Sequence, residues 1–308
     1  MFKIKTQNKI SNKGLDIFDK EKYIISDNEP NPDAIIVRSA NMLDFEFNPE
    51  LKAIARAGAG YNNIPVDRCT EAGIVVFNTP GANANGVKEL TVAALLLASR
   101  DICDGVDWAK SLTENVAKEV EAGKSKFGGF ELLGKTLGII GMGKIGAMVA
   151  NVAVALGMNV IGQDPYITAD SASSLNSAVK IVKDRAEVFE KSDYITLHAP
   201  TTAETKMMIN AETIAKMKDG VRIINSARAD LVDDEAMAAA LESGKIAKYV
   251  TDFPNEKVLK MKNVIAIPHL GASTEESEEN CAIMAVNQII DLLENGNIKN
   301  SVNYPATV

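Results

Sequence analysis

The chain of 308 residues holds two histidines, His198 and His269, and each lies just beyond a short apolar run that reads as a β-strand. Imidazole is the side chain whose ordinary titration falls near neutrality, so either residue can take or give a proton. Three polar segments follow such runs: Asn225-Ser-Ala-Arg228, Thr251-Asp252 and Pro268-His-Leu-Gly271. In open α/β sheets, ligands collect at the carboxyl ends of strands, so these loops are expected to face one reacting group. A guanidinium can hold a carboxylate and polarise a ketone, and an imidazole can protonate the alkoxide that forms as a hydride arrives. Arg228 and His269 therefore suit hydride transfer at C2 of a small 2-oxo or 2-hydroxy acid. Glu256, in Asp252-Phe-Pro-Asn-Glu256, can orient the imidazole and stabilise imidazolium. Taken alone, a His beside a strand is as often a cap, and a Glu usually a surface charge; the consecutive loops shift that balance.

A second constellation supplies the hydride carrier. Gly141-Met-Gly-Lys-Ile-Gly146 follows the apolar run Thr136–Ile140 and opens a stretch with Ile145, Val149, Val152 and Leu156 on one helical face. Such a strand–turn–helix places free backbone N–H groups against a pyrophosphate, with Gly141 for the turn, Gly143 for close approach and Gly146 for helix–strand contact. Lys144 and Ile145 belong to the same turn. A further run, Asn159-Val-Ile-Gly-Gln-Asp164, ends in a carboxylate 18 residues after Gly146, near the ~20 expected for a group bonding an adenosine ribose. Asp164 would repel a 2′-phosphate, which selects NAD over NADP.

The elements that position these groups form two series. In the first hundred residues, Ala34–Val37, Leu51–Ala55 and Ile74–Phe77 read as strands, with helical spacing over Pro65–Ala72 and Val87–Ser99, giving a small α/β domain. A long polar helix is expected from about Asp101 to Ala122. A more regular series follows: strands Thr136–Ile140, 159–162, Tyr194–Leu197, Val221–Asn225, 249–251 and 264–267, with helices mostly between them, a doubly wound sheet. The segment 278–294 has helical spacing and is expected to fold back on the first domain. The charge runs Glu275-Glu276 and Glu278-Glu279 read as solvated helix faces.

Composition sets the limits. At this length two domains are the prior, with 46% hydrophobic and 24% charged residues typical of a globular protein. A net charge of -8 without a basic block argues against nucleic acid and anionic lipid as partners. Cys69, Cys103 and Cys281 are odd in number and scattered, suggesting neither disulfides nor a metal site and favouring a reducing cytoplasm. The N-terminus does not read as a secretory signal, and the most apolar stretch, 92–98, is too short to span a bilayer.

Across its whole length the chain resembles the D-isomer-specific 2-hydroxyacid dehydrogenase family, most closely the branch acting on 3-phospho-D-glycerate. The resemblance rests on Arg56-Ala-Gly-Ala-Gly-Tyr-Asn-Asn63, Asn78-Thr-Pro80, Gly134-Lys-Thr-Leu-Gly-Ile-Ile-Gly-Met-Gly-Lys-Ile-Gly146, Leu197-His-Ala-Pro200, Ile224-Asn-Ser-Ala-Arg228 and Pro268-His-Leu-Gly-Ala-Ser-Thr274. It implies an α/β fold of two domains: a Rossmann-type doubly wound parallel sheet that binds NAD, residues 103–282, and a smaller flavodoxin-like substrate domain, residues 1–102 completed by 283–308. Arg228 and His269 resemble the catalytic pair and Glu256 the acid behind the His. Asp252 would hold the nicotinamide carboxamide, with Ser226, Ala227 and Gly271 on neighbouring loops, while His198, Pro200 and Thr201 would line the adenine side. Arg38-Ser39 and Arg56-Ala57-Gly58 resemble the stretches that bind the substrate's carboxylate or phosphate; two arginines aimed at one point would form an anion clamp, although a single Arg at a strand end is usually a solvated charge. A homodimer built through the nucleotide-binding domain is also implied, with Val87–Ser99 or the polar helix from Asp101 as contributors.

The chain departs from the family pattern in three places. Ala229-Asp230 replaces the usual Gly-rich pair after Arg228, and Lys248–Glu256 is one residue shorter than the commoner form, a slip that turns a strand side chain to the opposite face. The sequence also stops where many relatives continue into a small regulatory domain, so feedback through such a domain is not expected. The resulting expectation is NAD-dependent oxidation of 3-phospho-D-glycerate to 3-phosphooxypyruvate in serine biosynthesis. The alternatives are a reductase for hydroxypyruvate, glyoxylate or another 2-oxo acid, and an NAD(H)-sensing corepressor-like protein that keeps the fold but recognises a peptide.

Overall fold

Short apolar runs that are buried on both faces pair in parallel, and this chain has two sets of them. The computed structural model describes residues 1–305 and separates two units, Met1–Gly86 with Ala272 onward, and Val87–Gly271. The first carries β1 (Phe2–Gln7), β2 (Tyr23–Ser26), β3 (Ala34–Val37), β4 (Ala53–Arg56) and β5 (Val75–Phe77). They pair in the order β2-β1-β3-β4-β5, all parallel, which is the flavodoxin-like order. One face packs Ile4, Ile36, Ala55 and Phe77 against Cys281, Ala285, Val286 and Ile289 of the helix Glu275–Asn295; the other packs Ile35, Ile54 and Val76 against Met42, Ile64 and Cys69. That helix starts where Thr274 Oγ1 accepts the Ser277 N–H at 3.1 Å and stops at Gly296, left-handed at φ 72°.

The second unit carries β6 (Thr136–Ile140), β7 (Asn159–Gln163), β8 (Lys180–Ile181), β9 (Tyr194–Leu197), β10 (Val221–Asn225), β11 (Ile246–Thr251) and β12 (Val264–Ala266). Their order, β12-β11-β10-β9-β6-β7-β8, is the doubly wound Rossmann arrangement extended by a seventh strand, and the winding reverses between β6 and β9.

The structure corrects several expectations. β1, β2 and β8 were not foreseen: β1 alternates Lys and Thr with apolar residues and only Ile4 is fully buried, while β8 is two exposed residues. The single helix expected over 101–122 is two, Ile102–Ser111 and Val116–Gly123, broken where Leu112 is extended and Asn115 left-handed at φ 50°. The units divide at 86/87 and 271/272 rather than 102/103 and 282/283. The helix Ala84–Ser99 buries Ala94, Leu95 and Ala98 in the second unit's core, and Glu275–Asn295 lies along the first sheet. Glu278 and Glu279 do not simply face solvent, for they pair with Arg38 at 2.8 Å and Lys13 at 2.6 Å.

Candidate active site

At the reversal between β6 and β9 the backbone turns at Gly141, whose φ of 93° an L side chain rarely adopts. A Cβ there would stand 2.6 Å from the His198 carbonyl carbon, so the turn needs glycine to pass the β9 loop. At Gly146 a Cβ would collide with the Gly141 carbonyl, whereas at Gly143 it would meet nothing within 4 Å. The second glycine therefore faces open space at the start of the 12-residue helix Lys144–Ala155, where no side chain caps the first N–H groups. Free N–H groups at a helix start, bare of side chains, are what a pyrophosphate requires, so these residues fit a dinucleotide. Asp164 ends one residue beyond β7 and braces the turn: Oδ2 accepts the Met142 N–H at 2.8 Å and Oδ1 the Tyr166 N–H at 2.8 Å. His198 lies 3.1 Å from Thr196 Oγ1 through Nε2, and burial pushes its imidazole down to about 4, so it is neutral at pH 7. Pro200 and Thr201 follow, exposed, with the Pro200 carbonyl accepting the Thr205 hydroxyl at 2.6 Å.

Three neighbouring strands, β10, β11 and β12, carry the other loops. Asn225 closes β10 fully buried and organises what comes after it: Oδ1 accepts the Ala227 N–H at 3.1 Å and Nδ2 donates to the Arg228 carbonyl at 2.9 Å. Ser226 and Ala227 are half-buried and Arg228 exposed, its Nη1 donating to the Ala227 carbonyl at 2.6 Å. Asp252 follows β11, 2% exposed, and its N–H donates to the Asn225 carbonyl at 3.0 Å. Its carboxylate accepts the Leu270 N–H at 2.7 Å on Oδ1 and the Gly271 N–H at 2.8 Å on Oδ2. Asp252 thus ties the loop that bears His269, a residue held left-handed at φ 55°. The His269 ring is exposed and meets the edge of Phe253, with centroids 5.2 Å apart at 61°. Glu256 lies exposed in the turn before the 3₁₀ segment Val258–Lys260.

In the first unit, Arg56 closes β4 opposite Val37 of β3, which puts Arg38 and Arg56 side by side at the carboxyl ends of adjacent strands. Arg56 Nε donates to the Arg38 carbonyl at 3.0 Å, and its guanidinium lies over Gly58, where a Cβ would collide with it. Ala57 and Gly58 are buried; Ser39 is exposed, its N–H donating to Asn8 Oδ1 at 2.9 Å. Arg38 pairs with Glu278.

Residues 92–271 match the family model described as D-isomer specific 2-hydroxyacid dehydrogenase, NAD binding domain. The chain belongs to the D-isomer-specific 2-hydroxyacid dehydrogenase family. It is 41% identical to a hydroxypyruvate reductase of Thermotoga maritima over 84% of both chains. It is 40% identical to a D-3-phosphoglycerate dehydrogenase of Methanocaldococcus jannaschii over 89% of this chain and 52% of that one. The chain spans about half the length of most of the curated D-3-phosphoglycerate dehydrogenases it matches. The crystal structure of the NAD+-bound 3-phosphoglycerate dehydrogenase of Entamoeba histolytica superposes with a TM-score of 0.78 at 30% identity, covering 99% of each chain.

For this dehydrogenase family member, the structure gathers Arg228, Asp252 and His269 on adjacent loops and Arg38 with Arg56 on adjacent strand ends, and Glu256 lies four residues beyond Asp252. Three residues to which the sequence assigned no role shape these groups, Asn225, Phe253 and Asn8, and so does Glu278, expected only on a solvated helix face. Asn225 carried a signal, a polar residue ending a strand whose preceding two residues, Ile223 and Ile224, are apolar and fully buried. Glu278 carried none, because its partner is 240 residues away in sequence.

Proposed function

We propose that this protein oxidises 3-phospho-D-glycerate to 3-phosphooxypyruvate with NAD as the hydride acceptor. The observation that carries this choice is Arg38 and Arg56 at neighbouring strand ends, two guanidinium side chains of the kind that hold a phosphate. The phosphoglycerate dehydrogenases among its relatives support it. NAD fits the Gly141–Gly146 turn, and Asp164 disfavours a 2′-phosphate; bound there, its nicotinamide supplies the acceptor for the hydride from C2. Arg228 holds the C1 carboxylate and polarises the C2–O bond, and His269 takes the hydroxyl proton as that bond becomes a carbonyl. Asn225 and Asp252 position those two loops. Serine biosynthesis is the context this reaction implies.

The second reading, a reductase for hydroxypyruvate or glyoxylate, uses the same residues at C2. It is favoured by the Thermotoga maritima relative and by the Glu278 carboxylate on Arg38. The test is kcat/KM with NADH for 3-phosphooxypyruvate, hydroxypyruvate and glyoxylate, in wild type and Arg56→Ala. A preference for the phosphorylated acid that collapses in the variant supports the first reading. Equal use of the small acids, with the variant indifferent, establishes the second; absence of turnover with any of them returns the peptide-binding, corepressor-like role.

A homo-oligomer is also part of this proposal. Ile102, Val106, Val116, Phe130 and Leu133 form an exposed apolar set on the second unit's helical segment and the loop after it.

A further inference from the structure

The clamp described above already has an anion on it. Arg38 Nη1 lies 2.8 Å from Glu278 Oε1, while the Arg38 carbonyl accepts the Arg56 Nε–H at 3.0 Å, so backbone and guanidinium of one residue link Arg56 to a carboxylate. Glu278 comes from the first turns of the helix Glu275–Asn295, whose packing through Cys281, Ala282 and Ala285 onto the first unit's sheet fixes its backbone. Asn63 holds the opposite side, its Nδ2 donating to the Ala40 carbonyl at 2.8 Å, and Asn8 Oδ1 accepts the Ser39 and Ala40 N–H groups. The Arg38 backbone is thus set by its neighbours and does not depend on the ion pair. Both side chains of the pair are more than a third exposed, which makes the pair weak as a source of stability. It remains effective against a ligand that needs the same guanidinium.

We propose that Glu278 is a specificity-determining residue: its carboxylate competes with the substrate's distal anionic group for Arg38, and so sets how strongly a phosphorylated acid is preferred over an uncharged-tail acid of the same length. This inference rests on the reading that the distal group binds at Arg38 and Arg56. A phosphate dianion reaching Arg38 must displace Glu278 or lie against its negative charge. A hydroxymethyl tail does neither, so the carboxylate penalises one substrate class and not the other, which is discrimination by repulsion.

The experiment compares wild type, Glu278→Gln, Arg38→Ala and the double variant. Its readout is the KM for 3-phosphooxypyruvate divided by the KM for hydroxypyruvate, with NADH saturating and at low ionic strength. Glu278→Gln keeps size and removes the charge, and it is expected to lower that ratio about three- to tenfold. Arg38→Ala is expected to raise the ratio, and adding Glu278→Gln to it is expected to give less than the single change did. A ratio that stays put or rises in Glu278→Gln, while Arg38→Ala still raises it, overturns the inference and leaves the reading of the clamp intact. A ratio indifferent to Arg38→Ala overturns both. Equal falls from Glu278→Gln with and without Arg38 would mean a general field effect and would overturn the competition at Arg38.

Discussion

Between pH 6.5 and about 4, His198 is neutral in the folded chain and protonated in the unfolded one. The unfolded state then binds more protons, so stability is full above pH 6.5 and declines as the pH falls through that window. With the imidazole only partly screened from solvent, we expect a loss of about 1–2 kcal/mol between pH 7 and pH 5. Urea midpoints of the NAD-free protein at the two pH values, in wild type and His198→Gln, check this; equal pH sensitivity in both would assign the effect elsewhere. Asp252 presents a separate case. Its two oxygens each take one N–H from the loop beside His269, and in Asp252→Asn one of those donors faces an amide NH2 instead. A buried donor without an acceptor costs about 1–3 kcal/mol, so the variant's thermal midpoint falls, and kcat falls with it as His269 loses its fixed position. The partner of His269 is open to the same kind of test. Phe253→Ala is expected to lower kcat about tenfold, given its ring contact with His269, and Glu256→Gln beside it tests the acid proposed behind the imidazole; an unchanged kcat in Glu256→Gln would remove Glu256 from that role. Among these residues the sequence made Arg228, Asp252 and His269 legible because each follows an apolar strand. It hid Phe253, because a ring contact between residues 16 apart depends on how their two loops fold.

At the scale of elements, the glycine turn is the most sharply constrained piece. Gly146→Ala would push a methyl group into the Gly141 carbonyl, and overpacking of that kind typically costs about 1–3 kcal/mol. We expect weaker NADH binding by fluorescence titration together with a lower thermal midpoint, whereas Gly143→Ala, with open space before it, is expected to weaken NADH binding without the loss of stability. If Gly143→Ala bound NADH as tightly as wild type, the pyrophosphate would not lie at that backbone. Elements with predominantly apolar, β-branched runs were readable from the sequence: Ala34–Val37, Thr136–Ile140, Tyr194–Leu197 and Val221–Asn225 form strands over those spans. β1 was not, because Lys3, Lys5 and Thr6 dilute the apolar signal where only one side chain is fully buried. The break at Leu112–Asn115 escaped as well, since no proline or glycine marks it and the helices on both sides share a polar composition.

For the whole molecule, the helix Glu275–Asn295 is the piece on which the first unit's core depends. Ile289 is fully buried in it, and Ile289→Ala is expected to cost about 2–5 kcal/mol, seen as an earlier urea transition. Light scattering of the intact protein tests the proposed oligomer; a monomer mass at micromolar concentration would overturn it. The units divide at 86/87 and 271/272 where local pattern suggested 102/103 and 282/283, because burial in one core or the other decides where most of Ala84–Ser99 and all of Glu275–Asn295 belong. The division has a temporal consequence. Residues 2–77 supply every strand of the first sheet, yet the helix that covers one of its faces is translated only after the whole of Val87–Gly271. At ribosomal rates of about 5–20 residues per second, those strands wait roughly 10–40 s with an apolar face uncovered. Nascent-chain protection of the first sheet from proteolysis should therefore appear late, after the second unit has already become resistant.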